Sequence, residues 1–128
     1  MGRNNKGYVP KSFETIERVP GCKSYASIYI PMLQSRAYKR LSNRARTLYT
    51  FMKAQYRGAK NISEHTDQEF YFNWSMASTV YGLYTNKKAF YDDIKSLIEN
   101  GFIEVVENGK TTRTRSIYRY SDKWKSIT

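Results

Sequence analysis

Cysteine and histidine are nearly missing: Cys22 and His65 each occur once. A lone cysteine makes no intramolecular disulfide, which suits a reducing compartment, and one histidine leaves no His-rich metal site. No apolar run approaches the roughly 18 residues of a membrane span. The opening MGRNNKGYVP has no apolar signal region either, so a cytoplasmic location and no membrane partner are expected. The sequence also lacks a Ser/His/Asp set, paired histidines and a phosphate-binding glycine loop. Neither an enzyme activity nor a cofactor is expected.

Acidic residues are scarce in the first half. Residues 1 to 60 hold 13 Lys/Arg and 2 Glu, whereas residues 61 to 128 hold nine of each sign, so the net charge of +11 arises entirely before residue 61. From Arg36 to Lys60 there are eight cations and no acid. A merely solubilising surface usually mixes both signs. Clustered cations gain from counterion release on a polyanion, and nucleic acid is the expected partner.

What is present falls into elements. Residues 1–24 show neither a helical nor a strand period and contain Gly2, Gly7, Pro10, Pro20 and Gly21, which reads as a basic flexible arm ahead of a domain over 25–128. Ala26 to Ile30 alternates weakly, like a short strand, and Pro31 introduces a short helix over Met32 to Arg40. Ser42 is an N-cap for a helix from Asn43 to Arg57 closed by Gly58. Its apolar face is Ala45, Leu48, Tyr49, Met52 and Tyr56. Arg46, Lys53 and Arg57 form a separate basic stripe at 100° per residue, suited to phosphates. Phe70 to Asn73 reads as a strand and Trp74 to Tyr81 as a short helix ended by Gly82, with Leu83 plugging the core between two helices.

The second of these helices is signalled by Thr85 as N-cap and by Phe90, Ile94, Leu97 and Ile98 on one face. Asn100-Gly101 stops it. Phe102 to Glu107 is a β-branched run, Asn108-Gly109 a hairpin signal, and Ile117, Tyr118 and Tyr120 a returning strand, with Trp124 folding back on the sheet. The expected fold is α+β: a winged helix-turn-helix, helices plus a small antiparallel sheet with a β-hairpin wing. The outer face of the second helix carries Lys88, Tyr91, Asp92, Lys95 and Glu99, and its start carries Thr85, Asn86, Lys87 and Lys88. Such a helix enters a major groove by its N-terminal end, where Asn suits adenine, Lys guanine or phosphate, and Tyr phosphate or a thymine methyl. Asp92 is expected to pair with Lys88 and Asp93 with a structural cation. Lys110, Arg113 and Arg115 at the wing suit backbone phosphates.

Ser35-Arg36-Ala37-Tyr38, Leu41-Ser42, Ala45 and Leu48-Tyr49 resemble the first-helix pattern of small winged-helix proteins of bacterial plasmids, phages and integrative elements. FYFNW, TNKKAFYDDIKSLIENGFIEV and RSIYRYSDKW are similar to the helix, wing and closing strand of that group, and the likeness, over residues 27 to 124, extends to the N-terminal domain of plasmid replication initiators. The resemblance implies a sequence-specific binder of double-stranded DNA, acting in replication, maintenance or transcription control inside a bacterial or phage-infected cell. It puts Thr85, Asn86, Lys87, Lys88 and Tyr91 on the DNA-reading helix and Lys110 to Arg115 on the wing. The acidic pair Asp92-Asp93 and the exposed aromatics keep a second reading open: an adaptor or inhibitor docking on a nucleoprotein machine through a protein partner, or as a homodimer.

Overall fold

The computed structural model of the chain describes Val19 and residues 26–55, 69–107 and 116–127. The remainder of the expected arm 1–24, Tyr56 and Arg57 with Gly58, and the wing residues Lys110, Arg113 and Arg115 lie outside the described residues.

The described residues hold two short helices, α1 (Ile30–Leu33) and α2 (Arg36–Arg40), in place of the single helix over Met32 to Arg40 expected from the sequence. Ser35 divides them. Its Oγ accepts from Tyr38 N–H (3.1 Å) and donates to the Met32 carbonyl (2.7 Å), capping one helix while closing the other. The strand expected over Ala26 to Ile30 does not form: residues 26–29 are irregular and exposed, and Ile30 starts α1. Helix α3 (Asn43–Lys53) is capped by Ser42 as expected, through a bond from Ala45 N–H (3.1 Å). It ends at Lys53, short of Arg57, where the Ala54 N–H turns back to the Thr50 and Met52 carbonyls.

Strand β1 (Glu69–Tyr71) precedes a helical segment starting at Trp74. Asn73 caps this segment, its Oδ1 accepting from Met76 N–H at 2.8 Å. Over Met76–Val80 the segment widens into a π-helix, closed by Tyr81 N–H on the Met76 carbonyl. Gly82 follows at φ +64. Helix α4 (Lys87–Glu99) is capped by Asn86, not Thr85: the Asn86 Oδ1 accepts from Ala89 N–H at 3.1 Å. Gly101, at φ +82, ends α4; Phe102 N–H reaches the Leu97 carbonyl and Gly101 N–H the Ile98 carbonyl, the paired bonds of a Schellman motif.

Strands β2 (Ile103–Glu107) and β3 (Ile117–Tyr120) pair antiparallel, and β3 also pairs with β1, giving a sheet of order β1-β3-β2. Glu107 pairs with Ile117 next to an irregularity after Val105, and the expected hairpin residues Asn108-Gly109 lie outside the described residues. Helices with a small three-stranded antiparallel sheet make an α+β fold, compatible with a winged helix.

The core lies between α3, α4 and the sheet. Leu48 and Met52 are buried with Phe90, Ile94, Leu97 and Phe102, in one cluster with Phe70, Phe72 and Ile103. Three expectations shift here. Leu83 is only half-buried, while Tyr84 beside it is 6% exposed. Ile98 sits at the edge of the apolar stripe, 36% exposed. Trp124 stacks on Phe102 at 6.1 Å within a 3₁₀ turn (Lys123–Ser126), so it closes over the end of α4. No described helix is long and apolar enough to cross a membrane.

Candidate nucleic-acid interface

The residues that orient α4 are those that hold its inner face. Asp93 is 4% exposed, and a carboxylate there is tolerable only if it is paired and fully hydrogen-bonded. Arg44, from α3, grips it with both forks: Nε to Oδ2 at 2.6 Å and Nη2 to Oδ1 at 3.2 Å. The Tyr84 hydroxyl donates to the same Oδ2 at 2.5 Å. The Asp93 carboxylate raises the Arg44 pKa, mainly through the hydrogen bond. Burial, and then the bond to Asp93, raise that of Tyr84. One side chain from α3, one from the inter-helix turn and one from α4 thus meet at a single carboxylate. The expectation of a structural cation for Asp93 is met by Arg44, which sequence reasoning left unassigned. The clue was chemical: an acid beside Phe90 and Ile94 needs a cation, and α3 offers one without an acid of its own.

Held this way, α4 turns Lys87, Lys88, Tyr91, Asp92, Lys95 and Glu99 outward, and all six are exposed. Thr85 and Asn86 are exposed just before it. Lys88 donates to Asp92 at 2.9 Å, the i,i+4 pair expected. Lys87 and Lys95 have no ion-pair partner among the described residues. Asn86 uses its carboxamide oxygen on the helix cap, which leaves the Nδ2 hydrogens as its outward group. Bidentate adenine recognition needs both atoms. The Tyr91 ring lies against Phe90 with centroids 5.0 Å apart.

The basic stripe on α3 is less available than its spacing implies. Arg46 folds onto the end of α2: Nε donates to the Tyr38 carbonyl (3.1 Å), Nη2 to that of Lys39 (3.4 Å), and the guanidinium lies 4.8 Å from the Tyr38 ring centroid. Lys53 sits between the rings of Tyr29 and Tyr49, at 5.9 and 5.8 Å, and burial lowers its pKa. Both cations are committed to packing, and Arg57 lies outside the described residues. No family model, curated protein or solved structure matches this chain.

The sheet's other cations are balanced too. Arg119 on β3 lies between Glu69 (3.9 Å) and Glu104 (3.6 Å), and Lys123 pairs with Glu104 at 2.9 Å. That network lowers the Glu104 pKa, the bond from Lys123 first among its causes. Among the described residues no group of three or more His, Cys, Asp or Glu is placed to hold a metal.

Proposed function

We propose that this chain is a winged helix-turn-helix protein that binds double-stranded DNA sequence-specifically, with the N-terminal half of α4 in the major groove. The observation that carries the reading is the rigid presentation of α4: its inner face is locked to α3 through Arg44 and Asp93, and its outer face offers Asn86, Lys87, Tyr91 and Lys95 to a partner. A helix read through its N-terminal side chains needs that fixed rotation, because each residue of slip turns a side chain by about 100°. Lys87 and Lys95 supply phosphate contacts, while Tyr91 and the Nδ2 of Asn86 face base edges. Lys110, Arg113 and Arg115, which the sequence resemblance assigns to the wing, suit flanking phosphates. Replication, maintenance or transcription control of a mobile element is the setting that the sequence resemblance implies.

The test is selection of duplexes from a random library at about 0.1 M salt, followed by titration of one preferred and one scrambled duplex. Specific binders exceed their own non-specific affinity by roughly 10³ or more. Tyr91→Ala should weaken the preferred duplex by about 1–3 kcal/mol and leave the scrambled one nearly unchanged. Lys87→Ala with Lys95→Ala should weaken both duplexes and flatten the log–log salt dependence by about two units. A library that returns no enriched sequence removes this reading in favour of the adaptor.

A further inference from the structure

Most of the net positive charge lies elsewhere than on the helix proposed to read DNA. The outer face of α4 sets Lys87, Lys88 and Lys95 against Asp92 and Glu99, since Asp93 is buried with Arg44, so that face carries a net charge of only +1. Helix α2 is the opposite: Arg36, Lys39 and Arg40 are exposed, no acid lies between Arg36 and Lys60, and none of the three side chains has a hydrogen-bond or ion-pair partner among the described residues. Their spacing, i, i+3 and i+4, puts them on one face.

The fold fixes where that face is. Tyr38 of α2 meets Phe102 edge-on (6.1 Å), and Phe102 stacks on Trp124 (6.1 Å). Trp124 N–H donates to the Gly101 carbonyl at 3.1 Å, so α2 and the 3₁₀ turn pack together at the C-terminal end of α4. Lys125 of the turn is exposed, but its Nζ lies 5.7 Å from the Trp124 ring centroid. Of the acids nearby, Glu104 is held by Lys123, which leaves Asp122 and Glu99 against Arg36, Lys39 and Arg40. Helix α4 has 13 residues, which makes it about 20 Å long. The patch therefore stands at the far end from Asn86 and Lys87, at more than twice the roughly 8.5 Å depth of a major groove.

We propose that Arg36, Lys39 and Arg40 form a second phosphate-binding surface, which takes the backbone of another DNA segment while α4 holds the first. Arginine is suited to this because its planar fork binds phosphate oxygens in pairs. Backbone contacts carry no base information, so the second segment is taken regardless of sequence. The inference rests on the DNA-binding reading of α4, and the two fail separately in one experiment.

The preferred duplex is immobilised, loaded with the full chain and offered a labelled duplex of unrelated sequence. Wild type should capture the label. The three contacts of Arg36, Lys39 and Arg40 imply that capture falls about 40-fold between 50 and 200 mM salt. The variant Arg36→Ala/Lys39→Ala/Arg40→Ala should lose capture at least tenfold while its affinity and preference for the immobilised duplex stay unchanged. Lys39→Arg alone should keep capture. If the triple variant melts early, Arg36→Glu and Arg40→Glu singly replace it, each with the same expected loss. Capture by the charge-removed variants equal to wild type, no capture by wild type, or capture only of an acidic polypeptide overturns the second surface. An unchanged first-duplex titration for Lys87→Ala/Lys95→Ala overturns the α4 reading instead, whatever the label does.

Discussion

Asp93 is the residue whose loss should be felt most widely, because three elements converge on it. Asp93→Ala removes the acceptor of Tyr84 and of both Arg44 bonds. Arg44 is half exposed and regains water, so the main penalty falls on the Tyr84 hydroxyl and the vacated pocket. We expect a loss of about 2–3 kcal/mol by denaturant titration, and about 1 kcal/mol for Tyr84→Phe, which removes one donor only. Tyrosine burial sets a second expectation. Burial pushes Tyr49 and Tyr118 up to about 12. A raised acid favours the neutral form in the fold, so this stability is fully present below the unfolded value near 10 and is lost as pH rises through about 12. Lys53, lowered by burial, acts in the opposite sense and mostly below that window: its charge is penalised in the fold, and that penalty lifts as pH rises through its lowered value to the ordinary value of 10.5. Comparing wild type with Tyr49→Phe between pH 9 and about 12 isolates the tyrosine, and the variant should lose stability less steeply. At this scale the sequence was legible where chemistry is local, as in Lys88–Asp92. It was silent where the partner lies on another element, as with Arg44. Leu83 and Tyr84 show why periodicity fails in a turn: the phase is free there, and the residue whose hydroxyl finds Asp93 goes inside.

Two glycines separate conformation from space at the level of the element. Both have positive φ, but a Cβ on Gly82 would meet nothing within 4 Å, whereas one on Gly101 would lie 2.5 Å from Trp124 N and 2.7 Å from Lys123 C. Gly82→Ala should therefore cost about 1–2 kcal/mol, the left-handed penalty alone. Gly101→Ala should cost clearly more and displace the 3₁₀ turn, which Trp124 fluorescence would report. Leu97, fully buried on α4, should cost about 2–5 kcal/mol on truncation to Ala. Helix existence and type were readable because α3 and α4 have strong apolar stripes and cap residues. Boundaries were not, because adjacent residues compete for the same role: Asn86 over Thr85 as cap, and Ser35 splitting an expected helix.

Across the whole molecule, the sequence revealed that charge is unevenly distributed but not where it lands. Arg46 and Lys53 looked like a free stripe by angle alone; Tyr38, Tyr29 and Tyr49 claim them through contacts that no helical wheel contains. The cations left over on α2 came to notice only once Tyr38, Phe102 and Trp124 tied that helix to the end of α4.

The order β1-β3-β2 also bears on how the chain acquires its shape during synthesis. The middle strand of the sheet is the last one made, and its Tyr118 pairs with Phe70 on one side and Val105 on the other. Until residues 117–120 have been made, the partner that Phe70 has in the finished sheet does not exist. A domain whose central strand arrives last gains little from folding as it emerges, and its non-local pairing closes a long loop before it is rewarded. The helices have their partners earlier, since α3 and α4 meet without β3. Arrested chains of increasing length should therefore gain helical protection in one step and sheet protection in a later one, only after Tyr120 is exposed.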